Sequence, residues 1–239
     1  MRLRALRQQR ASRLGPELFL YERAFADCLD RAALIHRRFE RALLVGCRDP
    51  SWPERLGAIA GQVQTADLPA EEWQPDPGIY DVVMAIGTLD TENNLPLTLR
   101  LIRHVMRDDA LFLGALSGGD TLPQLRAAMR AADAISGVAA PHVHPRIEPS
   151  ALAPLLTDAG FIHPVIDVDR ALVSYTSLDR LIADLRSMGA TNILSRRPPF
   201  IGKAARAEAT GAFAAARDNE RTVETFEIIH FAAWSAKER

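Results

Sequence analysis

The chain has 239 residues, a quarter of them charged, and a formal net charge of -1. It is long enough to bury a sizeable core and fits one large domain, or one domain with a modest insertion. Twenty-nine Lys and Arg against thirty Asp and Glu exert no overall pull on a phosphate backbone, so nucleic acid is not an expected partner. No apolar run approaches the roughly 20 residues that span a bilayer. Cys28 and Cys47 show no CxxC spacing and no disulfide framework, which makes a reducing cytoplasm the expected location.

The N-terminal stretch MRLRALRQQRASR is rich in arginine and free of acids until Glu17. It has the charge of a transit peptide or of a helix in peripheral contact with a membrane surface, without the apolar core of a secretory signal. Its plainest reading is a solvated basic helix leading into the fold. Residues 17–41 carry Leu18, Tyr21, Phe25, Leu29, Ala32, Ile35 and Phe39 at mostly three- and four-residue spacing, which predicts an amphipathic helix broken at most once. Residues 1–41 therefore read as an N-terminal helical segment.

ALLVG (42–46) follows without polar alternation, as expected of a strand buried on both faces. Pro53 to Ala60 predicts a short helix ended by Gly61, and VQTADLP a short strand and its exit. A second buried strand spans Tyr80 to Gly87. Helix Leu95–Met106, strand Ala110–Leu116, helix Thr121–Ile135 and helix Pro149–Ala159 come next. PVIDVDRALVSYTS (164–177) predicts two extended segments and Leu178–Met188 a helix. RRPPF (196–200) breaks the chain, the alanine-rich stretch 203–217 is helical, and TVETFEIIHFAAW (222–234) is the longest strand-like run. Alternating strands and helices predict a mostly parallel sheet covered on both faces. The whole chain, 1–239, is expected to form one α/β domain with a helical insertion at 177–220.

In open parallel sheets, ligands bind beyond the carboxyl ends of the strands. The loops Gly46-Cys47, Gly87-Thr88-Leu89-Asp90 and Ser117-Gly118-Gly119-Asp120 are therefore expected to line one cleft. Gly118 and Gly119 would let backbone approach a ligand, and Asp120 or Thr121 would cap the next helix. Acidic residues such as Asp90 near a strand end are usually solvated. His142-Val143-His144 puts two imidazoles on one face of an extended segment, but flanking prolines and the lack of a nearby third ligand favour a loop with surface histidines over a metal site. No residue stands out as a catalytic base or nucleophile.

The order of elements and several motifs resemble the class I S-adenosylmethionine-dependent methyltransferases. More narrowly, the chain is similar to bacterial relatives of the methyltransferase-like complex I assembly factor, kin of the malonyl-carrier-protein methyltransferases of biotin synthesis. Matching stretches are FERALLVGC (39–47), YDVV (80–83), NLPLTLRLIRHVMRDDALFLGAL (94–116), GGDTLPQLRAAM (118–129), LLTDAGF (155–161), VIDVDRALVSY (165–175), DLRSMGATN (184–192) and TFEIIHFAAW (225–234). The last two are the most specific. The resemblance implies a Rossmann-like sheet with an antiparallel C-terminal strand and extra helices. It also implies an S-adenosylmethionine site at Gly46, Cys47, Asp67, Gly87 and Thr88, and a substrate-side pocket at Gly118, Gly119, Asp120, Arg186, Asn192, His230 and Trp234. Asp184 keeps the same pattern, and the plain reading of these late residues is a structural lock.

Three departures bear on function. The family's first strand leads into an acidic-x-Gly-x-Gly-x-Gly loop, whose glycines let backbone touch the cofactor. This chain keeps Gly46 alone, with Leu44, Arg48 and Pro50 at the other positions. Asp81 comes only 35 positions after Gly46, room for one helix and one strand where the family fits two such units. The surviving strand, ending at Asp67, looks like the later of the two; Asp67 would meet the adenine amine or cap a turn. After the Tyr80 strand, Leu89-Asp90-Thr91 stands where the family has Leu-His-Trp. These departures favour a methyltransferase-fold protein with a degenerate cofactor site, acting as an assembly or scaffold factor on a respiratory-complex partner. The alternatives are an active methyltransferase on a small-molecule or protein acceptor, and a remodelled pocket for another ligand.

Overall fold

The computed structural model describes residues 2–15, 17–67, 73, 76–194 and 199–236, and these form two compact units. Most of the RRPPF breaker, and Leu68 and Pro69 of the VQTADLP exit, lie outside the described residues.

The first, a sheet unit, comprises residues 18–119, 146–169 and 228–239. It begins with α2 (Phe19–Ala33), which follows α1 (Arg2–Leu14) of the other unit. Then come β1 (Phe39–Val45), α3 (Trp52–Leu56), β2 (Ala60–Ala66), β3 (Tyr80–Ile86), α4 (Leu95–Val105) and β4 (Met106–Ser117). α6 (Pro149–Asp158) leads into β5 (Phe161–Tyr175), and β7 (Arg221–Ser235) closes the chain. The strand order is β2-β1-β3-β4-β7-β5. β1 pairs in parallel with β2 and β3, β3 in parallel with β4, and β4 antiparallel with β7. One five-residue helix and one strand are the described elements between β1 and β3, and β2 is hydrogen-bonded directly to β1 at the sheet's edge.

Strands without polar alternation are buried on both faces. Leu43, Val45, Val83, Ala85 and Phe112 face a core closed by Leu99, Ile102, Leu152 and Leu156 of α4 and α6. Ala42, Leu44, Val82, Met84 and Ile86 face Phe25, Cys28 and Ala32 of α2 and Trp52 of α3. Trp52 stacks flat on Phe25 at 4.5 Å between ring centroids. Asp81 is buried within β3, where its carboxylate accepts the backbone N–H groups of Glu40 (2.6 Å) and Arg41 (2.9 Å) and fixes the start of β1.

Several boundaries differ from expectation. Phe39 opens β1 instead of closing a helix, because the chain turns at His36 (φ 52°) after α2 has ended. α3 stops at Gly57, and Gly61 lies within β2. β5 is one fifteen-residue strand where two segments were expected.

The second, a helical unit, comprises residues 1–17, 120–145 and 170–227. It contains α1, α5 (Pro123–Ser136), α7 (Leu178–Ser187), α8 (Lys203–Ala215) and β6 (Arg217–Asp218), with the adjoining parts of β5 and β7. α5 packs on α8, and both bury small residues, Ala128 and Ala132 on α5 and Ala205 and Ala209 on α8, while α7 packs on α1 and α8. The basic N-terminus is thus a helix as expected, but not a fully solvated one, since Arg4 and Ala11 are buried. Ser177 caps α7 by accepting from Arg180 N.

Neither Asp120 nor Thr121 caps α5. Leu122, in the left-handed region at φ 63°, holds the N-cap position and offers no side-chain acceptor. Asp120 pairs instead with Arg170, and the Thr121 hydroxyl both donates to Glu227 O and accepts from Glu227 N. The cap is supplied by Glu224 of β7, whose buried carboxylate accepts from Gln124 N (3.2 Å), Leu125 N (2.9 Å) and Thr225 N (3.1 Å). A carboxylate at a helix N-terminus satisfies orphan donors and meets the positive end of the dipole.

Candidate functional site

Parallel pairing puts the carboxyl ends of β1, β3 and β4 along one edge of the sheet unit. At the first of them Gly46 adopts φ +83°, and its N–H donates to Ala66 O at 3.0 Å. A Cβ on Gly46 would lie 2.2 Å from the Thr88 methyl and 2.7 Å from Ile86 O. The buried Thr88 side chain therefore occupies, with Ile86 O of β3, the side of Gly46 where a Cβ would lie. Gly46 and Thr88 are brought together as expected, but against one another.

The next residues build a turn. Cys47 Sγ donates to Asp49 O, and Asp49 Oδ1 accepts from Ser51 N (2.8 Å) and Ser51 Oγ (2.7 Å). This side-chain-to-backbone turn plants the fully buried Trp52, whose indole N–H donates to Glu22 of α2 at 2.9 Å. Arg48 lies 4.5 Å from the centroid of the Tyr21 ring, within cation–π range. Tyr21 in turn lies against Gly87 (φ +60°), where an added Cβ would fall 2.3 Å from its ring. Tyr21 thus meets both Arg48 and Gly87. Asp67 is exposed at the end of β2. Burial pushes the Cys47 thiol up, and the charges of Asp67 and Asp49 add to this, so Cys47 is a poor nucleophile.

Beyond β3, Asp90 is not solvated. It is ion-paired with Arg146, both side chains more than nine-tenths buried. At the end of β4, Gly118 bridges to Ile147, and a Cβ on Gly119 would fall 2.0 Å from a carboxylate oxygen of Glu148. These glycines too are contacted by the chain itself.

His230 and Trp234 lie four residues apart on β7 and face the core beneath α2, Trp234 half-buried there. The buried His230 has Nδ1 3.0 Å from Asp27 Oδ2 and 4.0 Å from Cys28 Sγ. Asp27 also accepts from Arg31 Nε, Arg31 pairs with Asp167, and Arg23 pairs with Asp169 through two bonds. α2 is therefore tied to β5 and β7 by a chain of charges. Burial lowers the pKa of His230, while Asp27, Asp169 and Asp167 oppose it and Arg31 reinforces it. Cys28 is pushed up to about 12, mainly by burial. A base with its folded pKa depressed binds fewer protons folded than unfolded, so this contribution is present above the unfolded pKa and is lost as pH falls. In urea unfolding the stability of the wild type relative to His230→Gln is expected to fall from about pH 7.5 to pH 5.5.

In the helical unit, Arg186 is exposed in the last turn of α7. Asn192 donates to Pro141 O (2.6 Å) and accepts from Leu194 N (2.8 Å), which makes it a loop staple. Asp184 acts on the Tyr175 hydroxyl, whose pKa is raised by burial first and then by that carboxylate. His142 is no surface histidine: its Nε2 lies 2.7 Å from Asp133 Oδ1 and its side chain is largely buried. Among the described residues no group of three or more His, Cys, Asp or Glu is placed to hold a metal ion.

Sequence reasoning missed Tyr21, Arg146 and the α2–β5 charges. The last were within reach: Arg23, Asp27 and Arg31 recur at four-residue spacing on one helix face, and Asp167 and Asp169 at two-residue spacing on one strand face.

This architecture is that of the class I methyltransferases. The YcgJ protein of Bacillus subtilis superposes with a TM-score of 0.58 at 10% identity, over 89% of this chain and 100% of that one. A putative methyltransferase from Bacillus halodurans gives 0.57 at 10% identity, over 87% and 99%. In sequence the chain is similar to arginine-hydroxylase NDUFAF5, mitochondrial, of Danio rerio, 28% identical over 240 residues that cover 90% of this chain and 75% of the relative. It is also similar to malonyl-[acyl-carrier protein] O-methyltransferase of Laribacter hongkongensis, 29% identical over 255 residues, 98% of this chain and 84% of that protein. The recognition made from the motifs is borne out by both groups of homologues. No protein-family model matches the chain. No helix among the described residues is long and apolar enough to cross a membrane.

Proposed function

We propose that this chain is a methyltransferase-fold protein whose cofactor position is filled by its own side chains, and that it acts as an assembly or scaffold factor. The observation that carries this reading is the closure of both glycines that backbone-to-cofactor contact would need. Gly46 is covered by Thr88, and Gly87 by Tyr21 under Arg48. The residues around Gly46 do not fit S-adenosylmethionine, because glycine's lack of a side chain is already used by neighbours packed within the chain. Asp90, which stands at the family's histidine, is held by Arg146 and is not a free base.

The partner is a protein, and likeness to NDUFAF5 makes a respiratory-complex subunit the first choice. The whole chain, 1–239, is taken as one methyltransferase-like domain working in a reducing cytoplasm, which the free thiols of Cys28 and Cys47 suit. The competing reading, an active methyltransferase, draws on the likeness to malonyl-[acyl-carrier protein] O-methyltransferase.

Thermal unfolding separates them. A ligand at about 100 times its dissociation constant stabilises a fold by about 2.7 kcal/mol, a shift of several degrees in Tm for a domain of this size. With S-adenosylmethionine at 1 mM the expected shift is less than about 1 °C; a shift of several degrees would favour the active enzyme.

A further inference from the structure

The near-zero net charge conceals a separation. Residues 1–17, 120–145 and 170–227, the helical unit, hold 16 Lys and Arg against 10 Asp and Glu, whereas the remainder holds 13 against 20. All of those 16 except Lys203 are arginine. Many of the unit's acids are inward or engaged. Glu224 and Glu227 are buried, Asp133 lies against His142, Asp120 pairs with Arg170, and Asp179 pairs with Arg206. Among the described side chains of the packed helices α1 and α7 the exposed cations are Arg10, Arg13, Arg180 and Arg186. The one exposed acid among their described side chains is Asp179, already taken by Arg206.

We propose that α1 and α7 form a docking surface for an acidic polypeptide segment. This rests on the scaffold reading and gives the partner its chemistry. Three features select a polypeptide over other anions. Arginine's planar fork matches a carboxylate with two parallel hydrogen bonds, so an arginine-dominated surface suits Asp and Glu side chains. Leu6 is the one large apolar side chain exposed on α1 or α7 among the described residues, too little to hold an interfacial helix in a bilayer. Neither helix carries an aromatic residue, so there is no platform on which the bases of a single strand could stack.

The test is fluorescence anisotropy of the full chain with three probes: a labelled Glu/Asp-rich peptide, phosphatidylglycerol vesicles and a labelled single-stranded oligonucleotide of matching charge. The peptide is expected to bind most tightly and to lose about tenfold in affinity in 0.5 M salt, where exposed charges are screened beyond a few ångströms. Reversing Arg10, Arg13, Arg180 and Arg186 to Glu is expected to weaken it at least tenfold. Reversing Lys203 and Arg221, exposed cations elsewhere in the unit, should change it less than about twofold. If the fourfold variant fails to fold by circular dichroism, Arg10→Glu with Arg13→Glu, confined to α1, replaces it. Absence of peptide binding, an equal loss in the control variant, or tighter binding to vesicles or oligonucleotide overturns the proposal. None of these readouts depends on S-adenosylmethionine, so the docking surface can fail while the closed cofactor position stands, and the reverse.

Discussion

Replacing Gly46 with alanine is expected to destabilise the ligand-free protein by about 3–5 kcal/mol, in the range of severe overpacking combined with backbone strain. Two effects add. At φ +83° an L-residue with a Cβ is disfavoured by about 1–2 kcal/mol relative to glycine. The new Cβ would also overlap the Thr88 methyl at 2.2 Å and Ile86 O at 2.7 Å, and the latter is backbone of the last residue of β3. Adding Thr88→Ala removes the first overlap and leaves the second, so the double variant should recover only part of the loss. Urea unfolding without ligand is the measurement. A Gly46→Ala protein as stable as the wild type would mean that internal packing does not require this glycine, and the argument for a self-filled loop would fall.

Glu224→Ala is expected to destabilise by about 2–4 kcal/mol, because it strips the half-buried N–H of Gln124 and the buried N–H of Leu125 of their acceptor at the start of α5. Glu224→Gln keeps one acceptor oxygen and should fall between. The pH dependence has a definite sign. Burial raises the pKa of Glu224 against the opposing backbone bonds from Leu125, Gln124 and Thr225. A carboxyl whose folded pKa lies above its unfolded value contributes most below the unfolded pKa, and that contribution is lost as pH rises through the folded one. The stability gap between wild type and Glu224→Gln should therefore widen in favour of the wild type between about pH 7 and pH 5. A gap that is constant or narrows across that range contradicts the assignment.

The sheet was readable where burial is two-sided. Runs such as Val82-Val83-Met84-Ala85-Ile86 admit no other role in a chain of alternating strands and helices. The failures share one cause, which is that distant residues decide local structure. Phe39 continues the helical spacing of α2, and only its pairing with Ala60 of β2 makes it strand. The sequence of β5 reads as two extended segments, and the partners of its Asp167 and Asp169, Arg31 and Arg23, lie on the distant α2. Asp120 and Thr121 satisfy every local rule for a cap, yet the acceptor comes from Glu224, about a hundred positions later. At the candidate site, Arg48 and Pro50 are plain in the sequence. The packing of Tyr21 against Gly87 was not legible, since Tyr21 reaches it from a helix that precedes the sheet.

The central claim, that the chain occupies its own cofactor position, is tested most directly by calorimetric titration of the full-length protein with S-adenosylmethionine. With Tyr21 against Gly87 and Thr88 against Gly46, the expected result is no heat beyond dilution up to about 1 mM ligand. A saturable isotherm with a submillimolar dissociation constant would contradict it.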